Sequence, residues 1–123
     1  MVAALLAIVV PSLRAAGYTG TFPHFRRQGP NGIDLLTFQF DRNGGGFVVE
    51  VSSCHPEGIT MHWGKVIAPG DVTAWDVHPS QRFRIQPQSG GGTECWFRFE
   101  DEKYDHVARQ ALEHIDATAK TAT

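Results

Sequence analysis

The sequence predicts an α+β domain: an antiparallel sheet of four to five strands, with an N-terminal and a C-terminal helix packed on one of its faces. Three observations carry this. The middle of the chain alternates apolar and polar residues at period two, in segments joined by glycine-rich turns. The two ends instead repeat their apolar residues at helical spacing. The chain has 123 residues, 41% of them hydrophobic and 20% charged, which suits one core and a single domain over residues 1–123.

The first element is a helix from about Val2 to Ala16. No basic residue precedes its apolar run, which argues against a signal peptide and for a core helix. Gly17 suits the position just past a helix end, and Arg14 in the last turn complements the dipole. Pro11 is expected to kink this helix or split it. Phe22 to Gln28 then reads as a strand, and Gln28–Gly32 as a turn with a strong Asn31-Gly32 hairpin signal. Ile33 to Arg42 follows, with Leu36, Phe38 and Phe40 on one face and Leu35, Thr37, Gln39 and Asp41 on the other. A turn at Asn43–Gly46 leads into Phe47 to Cys54, whose Phe47, Val49 and Val51 oppose Val48, Glu50, Ser52 and Cys54.

Residues 55–93 are irregular, with Pro56, Pro69, Pro79 and Pro87, and hold one short strand, Arg82 to Gln86. A loop of this length in a small domain usually carries function or moves. Glu94 to Glu100 is the last strand: Cys95, Phe97 and Phe99 face one way, Trp96 and Arg98 the other. Asp101 to Lys120 closes the chain as a helix, with Asp101 as N-cap and an apolar stripe of Val107, Ala111, Leu112, Ile115 and Ala119. Both helices should cover the Phe38, Phe40, Val49 and Phe97 face. The other face, with Gln39, Glu50, Ser52, Trp96 and Arg98, is then open or covered only by the long loop.

Charge narrows the function classes. Eleven Lys and Arg against 13 Asp and Glu give −2, which excludes a strongly basic nucleic-acid binder. No apolar run approaches the ~20 residues that span a bilayer. Two cysteines are too few for a disulfide scaffold, so the expected location is the cytoplasm. Residues 94–123 carry four basic residues against seven acidic ones, making the C-terminal third the acidic end.

No motif supplies chemistry outright. Cys54, His55, His62, His78 and Cys95 could converge on a metal, but no ligand pair has supporting spacing, and neither metal nor cofactor is expected. A Cys54–Cys95 disulfide conflicts with the opposite faces predicted for the two residues. Gly58 to Lys65 resembles a phosphate loop with one residue too many and Val66 where a hydroxyl is needed. His62, His78, Asp71 and Asp76 share the long loop and could form a general-base unit. Trp63, Trp75 and Trp96 are more informative. They either pack together as a satellite core or form an aromatic contact surface, since Trp and Arg anchor interfaces.

Several stretches resemble the domain-of-unknown-function 4304 family: Leu13-Arg-Ala-Ala-Gly-Tyr18, Phe25-Arg-Arg27, Asp34-Leu-Leu-Thr-Phe-Gln39, Gly46-Phe-Val-Val-Glu-Val51 and Cys95-Trp-Phe-Arg-Phe99. The similarity covers about two thirds of the chain and rests mostly on core residues, while 55–93 matches poorly. It implies the fold and, by analogy of class, a bacterial immunity protein that blocks a cognate toxin. The expected function is therefore a non-enzymatic protein-binding domain, with Trp96, Arg98, Gln39, Glu50, Trp63 and Trp75 as partner-binding residues and a basic toxin as partner. The alternative is a small hydrolase using the loop His and Asp residues, with or without a metal.

Overall fold

Alternating side chains and short glycine turns leave little choice in how the central strands pair. The computed structural model describes residues 1–29, 32–61, 64–86, 96–99 and 103–121. Helix α1 spans Val2–Ala15. It ends in a reciprocal pair of backbone bonds, Gly17 N–H to Arg14 O at 3.0 Å and Tyr18 N–H to Leu13 O at 2.9 Å. Gly17 makes this possible by adopting φ +99°, which a side chain would resist. Of the two outcomes expected at Pro11, a kink or a split, the split does not occur: the helix runs unbroken through it. Both Pro11 and Ala7 lie on the solvent side, where water can serve the carbonyl that proline cannot.

The sheet is antiparallel. β1 (Thr19–Thr21) pairs with β2 (His24–Gly29), so the strand expected from Phe22 begins at His24 and an unexpected strand precedes it, with a cis Phe22–Pro23 peptide in the turn between them. β2 pairs with β3 (Gly32–Phe40) from Gly29 opposite Gly32 to His24 opposite Thr37. β3 pairs with β4 (Gly46–Cys54) from Phe40 opposite Phe47 to Ile33 opposite Cys54, across the expected turn. Asp41 organises that turn, its carboxylate accepting Asn43 N–H at 2.9 Å and its carbonyl accepting Gly44 N–H at 2.8 Å. β5 (Ile59–Thr60) and β6 (Val66–Ile67) form a separate hairpin. β7 (Phe83–Ile85) and β8 (Phe97–Arg98) both pair with β4, on Val49–Val51 and on Gly46–Phe47 respectively. Of the strand expected over 94–100, residues 94, 95 and 100 lie outside the described residues. Helix α2 spans Tyr104–Thr121, and its expected N-cap, Asp101, also lies outside them.

Both helices cover the same face of the sheet. Leu5, Val9 and Leu13 of α1 and Val107, Ala108, Ala111 and Ile115 of α2 close over Phe25, Leu36, Phe38, Phe47, Val49 and Phe97. The rings touch in series: Phe22 stacks on Phe38 at 5.2 Å, and Phe47 stacks on Phe97 at 5.2 Å. A second, smaller cluster lies on the other face, where Val72, Ala74 and Val77 of the long loop bury Ile33 and Leu35. Among the described residues no helix is long and apolar enough to cross a membrane.

Candidate functional site

Away from the helices, strand register builds a polar row across four strands. His24 lies opposite Thr37, Thr37 opposite Glu50, and Glu50 opposite Arg84. With strands spaced ~4.8 Å apart, the row is about 14 Å long. Its middle is buried, with Thr37 at 0% and Glu50 at 5% exposure. Burial of this kind requires partners, and the row supplies them from within. The Nδ1 of His24 lies 3.0 Å from the Thr37 hydroxyl. Glu50 Oε1 accepts two bonds from Arg84, from Nη2 at 3.1 Å and Nε at 3.3 Å.

A tryptophan stands at each end. Trp75 meets the His24 ring edge-to-face at 4.8 Å, and Trp96 lies beneath the Arg84 guanidinium, 5.6 Å from ring centroid to Cζ. Burial, helped by the neighbouring Arg26 charge, pushes the His24 pKa down, with Asp76 opposing. The ring therefore favours its neutral form, which lowers the cost of burying it against the indole.

Trp75 is 45% exposed although its backbone is firmly held. It sits in the short 3₁₀ turn Ala74–Asp76. The Asp76 carboxylate accepts Thr73 N–H at 2.8 Å and lies 3.3 Å from the Thr73 hydroxyl. Arg82 clamps the far side, donating to Trp75 O at 2.6 Å and Val77 O at 2.7 Å. Beneath the turn, Ala74 is fully buried against the second cluster.

Of the residues expected at a partner surface, Glu50 and Trp96 meet through Arg84. Arg98 lies at the end of β4, bonded to Asp41 at 3.2 Å. A Cβ at Gly46 would come within about 3.0 Å of Arg98 and 3.1 Å of Trp96, so glycine there lets β8 close on the sheet. Gln39 is half-buried in register with Val48. Trp75 and Trp96 each have their own seat, so they do not form the shared satellite core considered above; Trp63 lies outside the described residues. Glu50 departs from the open-face expectation, being a buried support beneath Arg84. Residue spacing alone does not single out His24, Arg82 or Arg84. Arg84 was findable: a glutamate inside a strand calls for a cation, and Arg84 lies in the one short strand predicted within the loop.

Two loop histidines are locally engaged. His55 Nδ1 accepts Glu57 N–H at 3.2 Å, and His78 Nδ1 accepts Ser80 N–H at 3.1 Å. The Cys54 thiol is free, its pKa raised by burial first and by Asp76 second. His62 and Cys95 lie outside the described residues, and among those described no group of three or more His, Cys, Asp or Glu could hold a metal. The acidic side chains of α2 (Asp105, Glu113 and Asp116) are exposed on the helix side, opposite Trp96.

A family model described as a domain of unknown function (DUF4304) matches residues 9–122, nearly the whole chain. No curated protein matches, and no solved structure matches.

Proposed function

From the premise that this chain belongs to the DUF4304 family, we propose that it is a non-enzymatic protein-binding domain of the kind that covers a cognate toxin in the cytoplasm. The observation that supports this most is Trp75: a large aromatic, nearly half exposed, on a turn braced from both sides. An anchor held in place before binding loses little further freedom when it docks. Trp96, Arg98 and Gln39 extend the surface along the row. On this face Glu50 and Asp41 are engaged by Arg84 and Arg98, and Asp76 by Thr73. Aromatic burial, rather than attraction to a basic partner, is therefore the leading interaction here. The basic partner expected from the acidic third belongs to the α2 side.

The test is to co-express the chain with the product of the adjacent gene, purify any complex, and measure its affinity with Trp75→Ala and Trp96→Ala. Each substitution should weaken the complex by about 2 kcal/mol or more if it removes a hot spot. A complex indifferent to both would overturn the assignment of this face.

The hydrolase reading has one contact in its favour: His78 Nδ1 lies 2.7 Å from the Ser80 hydroxyl. The same nitrogen also accepts Ser80 N–H, which is a local cap on the turn Pro79–Gln81. The Asp76 carboxylate is meanwhile taken by Thr73. Ester or amide turnover abolished by Ser80→Ala would establish the hydrolase and displace the binding reading.

A further inference from the structure

The helix side of the sheet holds a cavity of about 530 Å³ that the protein-binding reading does not use. That size is within the range of small-molecule sites. Its floor is Leu36, Val51 and Ile85; its roof is Leu13 from α1 with Leu112 and Ile115 from α2. Phe83 stands at the wall 58% exposed, although its strand neighbour Val51 faces the core cluster. An aromatic of that size left uncovered beside an apolar cavity offers contact area to a ligand.

The polar groups of the cavity narrow the ligand. Arg27 is turned toward Asp34: Nε and Nη2 both donate to Asp34 Oδ2, at 3.1 and 2.9 Å, and Nη1 donates to Ala16 O at 3.2 Å. Its guanidinium also stacks on Tyr18, 4.6 Å from the ring centroid. The charges of Arg27 and Asp34 therefore cancel. Burial raises the Tyr18 pKa, outweighing the opposing Arg27 charge, so the hydroxyl stays a donor. Asp116, on α2 at the cavity, has no ion pair among the described residues. The lining thus carries one net negative charge beside an apolar trough and an exposed phenyl ring, a setting that attracts a cation.

We infer that this cavity binds a small amphiphilic amine, its apolar body on Val51, Ile85 and Leu112 and its ammonium group held by Asp116 against Phe83. Nothing in the inference depends on the tryptophan face, which lies on the opposite side of the sheet.

The experiment titrates the full chain with octylamine, octanol and octanoate, three probes with one apolar body and different heads, followed by calorimetry and amide chemical shifts. Octylamine should saturate a single site and bind at least tenfold more tightly than octanoate. Asp116→Asn, an exposed change that spares the core, should remove the advantage of octylamine over octanol. Val51→Trp should fill the trough and abolish binding of all three while the circular dichroism spectrum is retained. No saturable binding, equal affinity for the three heads, or octylamine binding undiminished by Asp116→Asn would each overturn the assignment. The last readout holds even if Val51→Trp fails to fold.

Discussion

On one face of the sheet, Phe25, Phe38, Phe47 and Phe97 meet two helices; on the other, His24, Thr37, Glu50 and Arg84 meet a loop. The first face is held by apolar area, which is non-directional and tolerant of detail. The second has a small apolar cluster around Leu35, and along its polar row it is held by directed bonds between groups that cannot be buried alone. The apolar face can be shared out among many contacts. The polar row depends on each member, because removing one leaves the next without its partner. The two tryptophans stand at the ends of the row, where it meets solvent. The polar face thus supports an exposed surface in a way the phenylalanine core cannot.

The sharpest way to break this contrast is to remove one residue from each face. Phe38→Ala should cost about 3–5 kcal/mol, the usual range for a fully buried phenylalanine, whereas its neighbour Gln39→Ala should cost little. Chemical denaturation of both variants checks this. Next in size is Arg84→Met, which strips the nearly buried Glu50 of its guanidinium and should cost about 3 kcal/mol, as broken buried pairs do. Adding Glu50→Leu should recover most of that loss, since two apolar side chains need no partner. If the double variant is no better than the single, the row is not held by pairing.

A smaller effect is the pH dependence of His24. The fold holds its pKa below the ordinary value of about 6.5, so the unfolded chain takes up the proton first. The contribution of the neutral ring is complete above that value and is lost as pH falls through it toward the folded one. The melting temperature should therefore drop between pH 7.5 and 5.5, and His24→Gln should flatten the drop.

Legibility divides along the same line. Leu36, Phe38, Phe40, Phe47 and Val49 alternate on both sides of a glycine turn, and the register followed from that pattern alone. β1 was not legible: Thr19-Gly-Thr21 has no apolar alternation, and only pairing with β2 makes it a strand. That Trp96 lies on the face away from the helices was legible from the alternation around it. The seats of Trp75 and Trp96 were not, because His24 and Trp75 are 51 positions apart and Glu50 and Arg84 are 34 apart. No period in the sequence links such pairs. The braces around Trp75 were equally hidden, since Arg82 acts through backbone carbonyls that any residue could supply.

The fold rests on the helix-covered face, whereas the proposed partner binding uses the tryptophan face. Trp75→Ala tests this division most directly, with the thermal midpoint and the affinity for the adjacent gene product measured on one preparation. The midpoint should stay close to that of the parent chain and the affinity should fall about 30-fold, which corresponds to about 2 kcal/mol. A midpoint that collapses while affinity per folded molecule is unchanged would place Trp75 in the core and contradict the account.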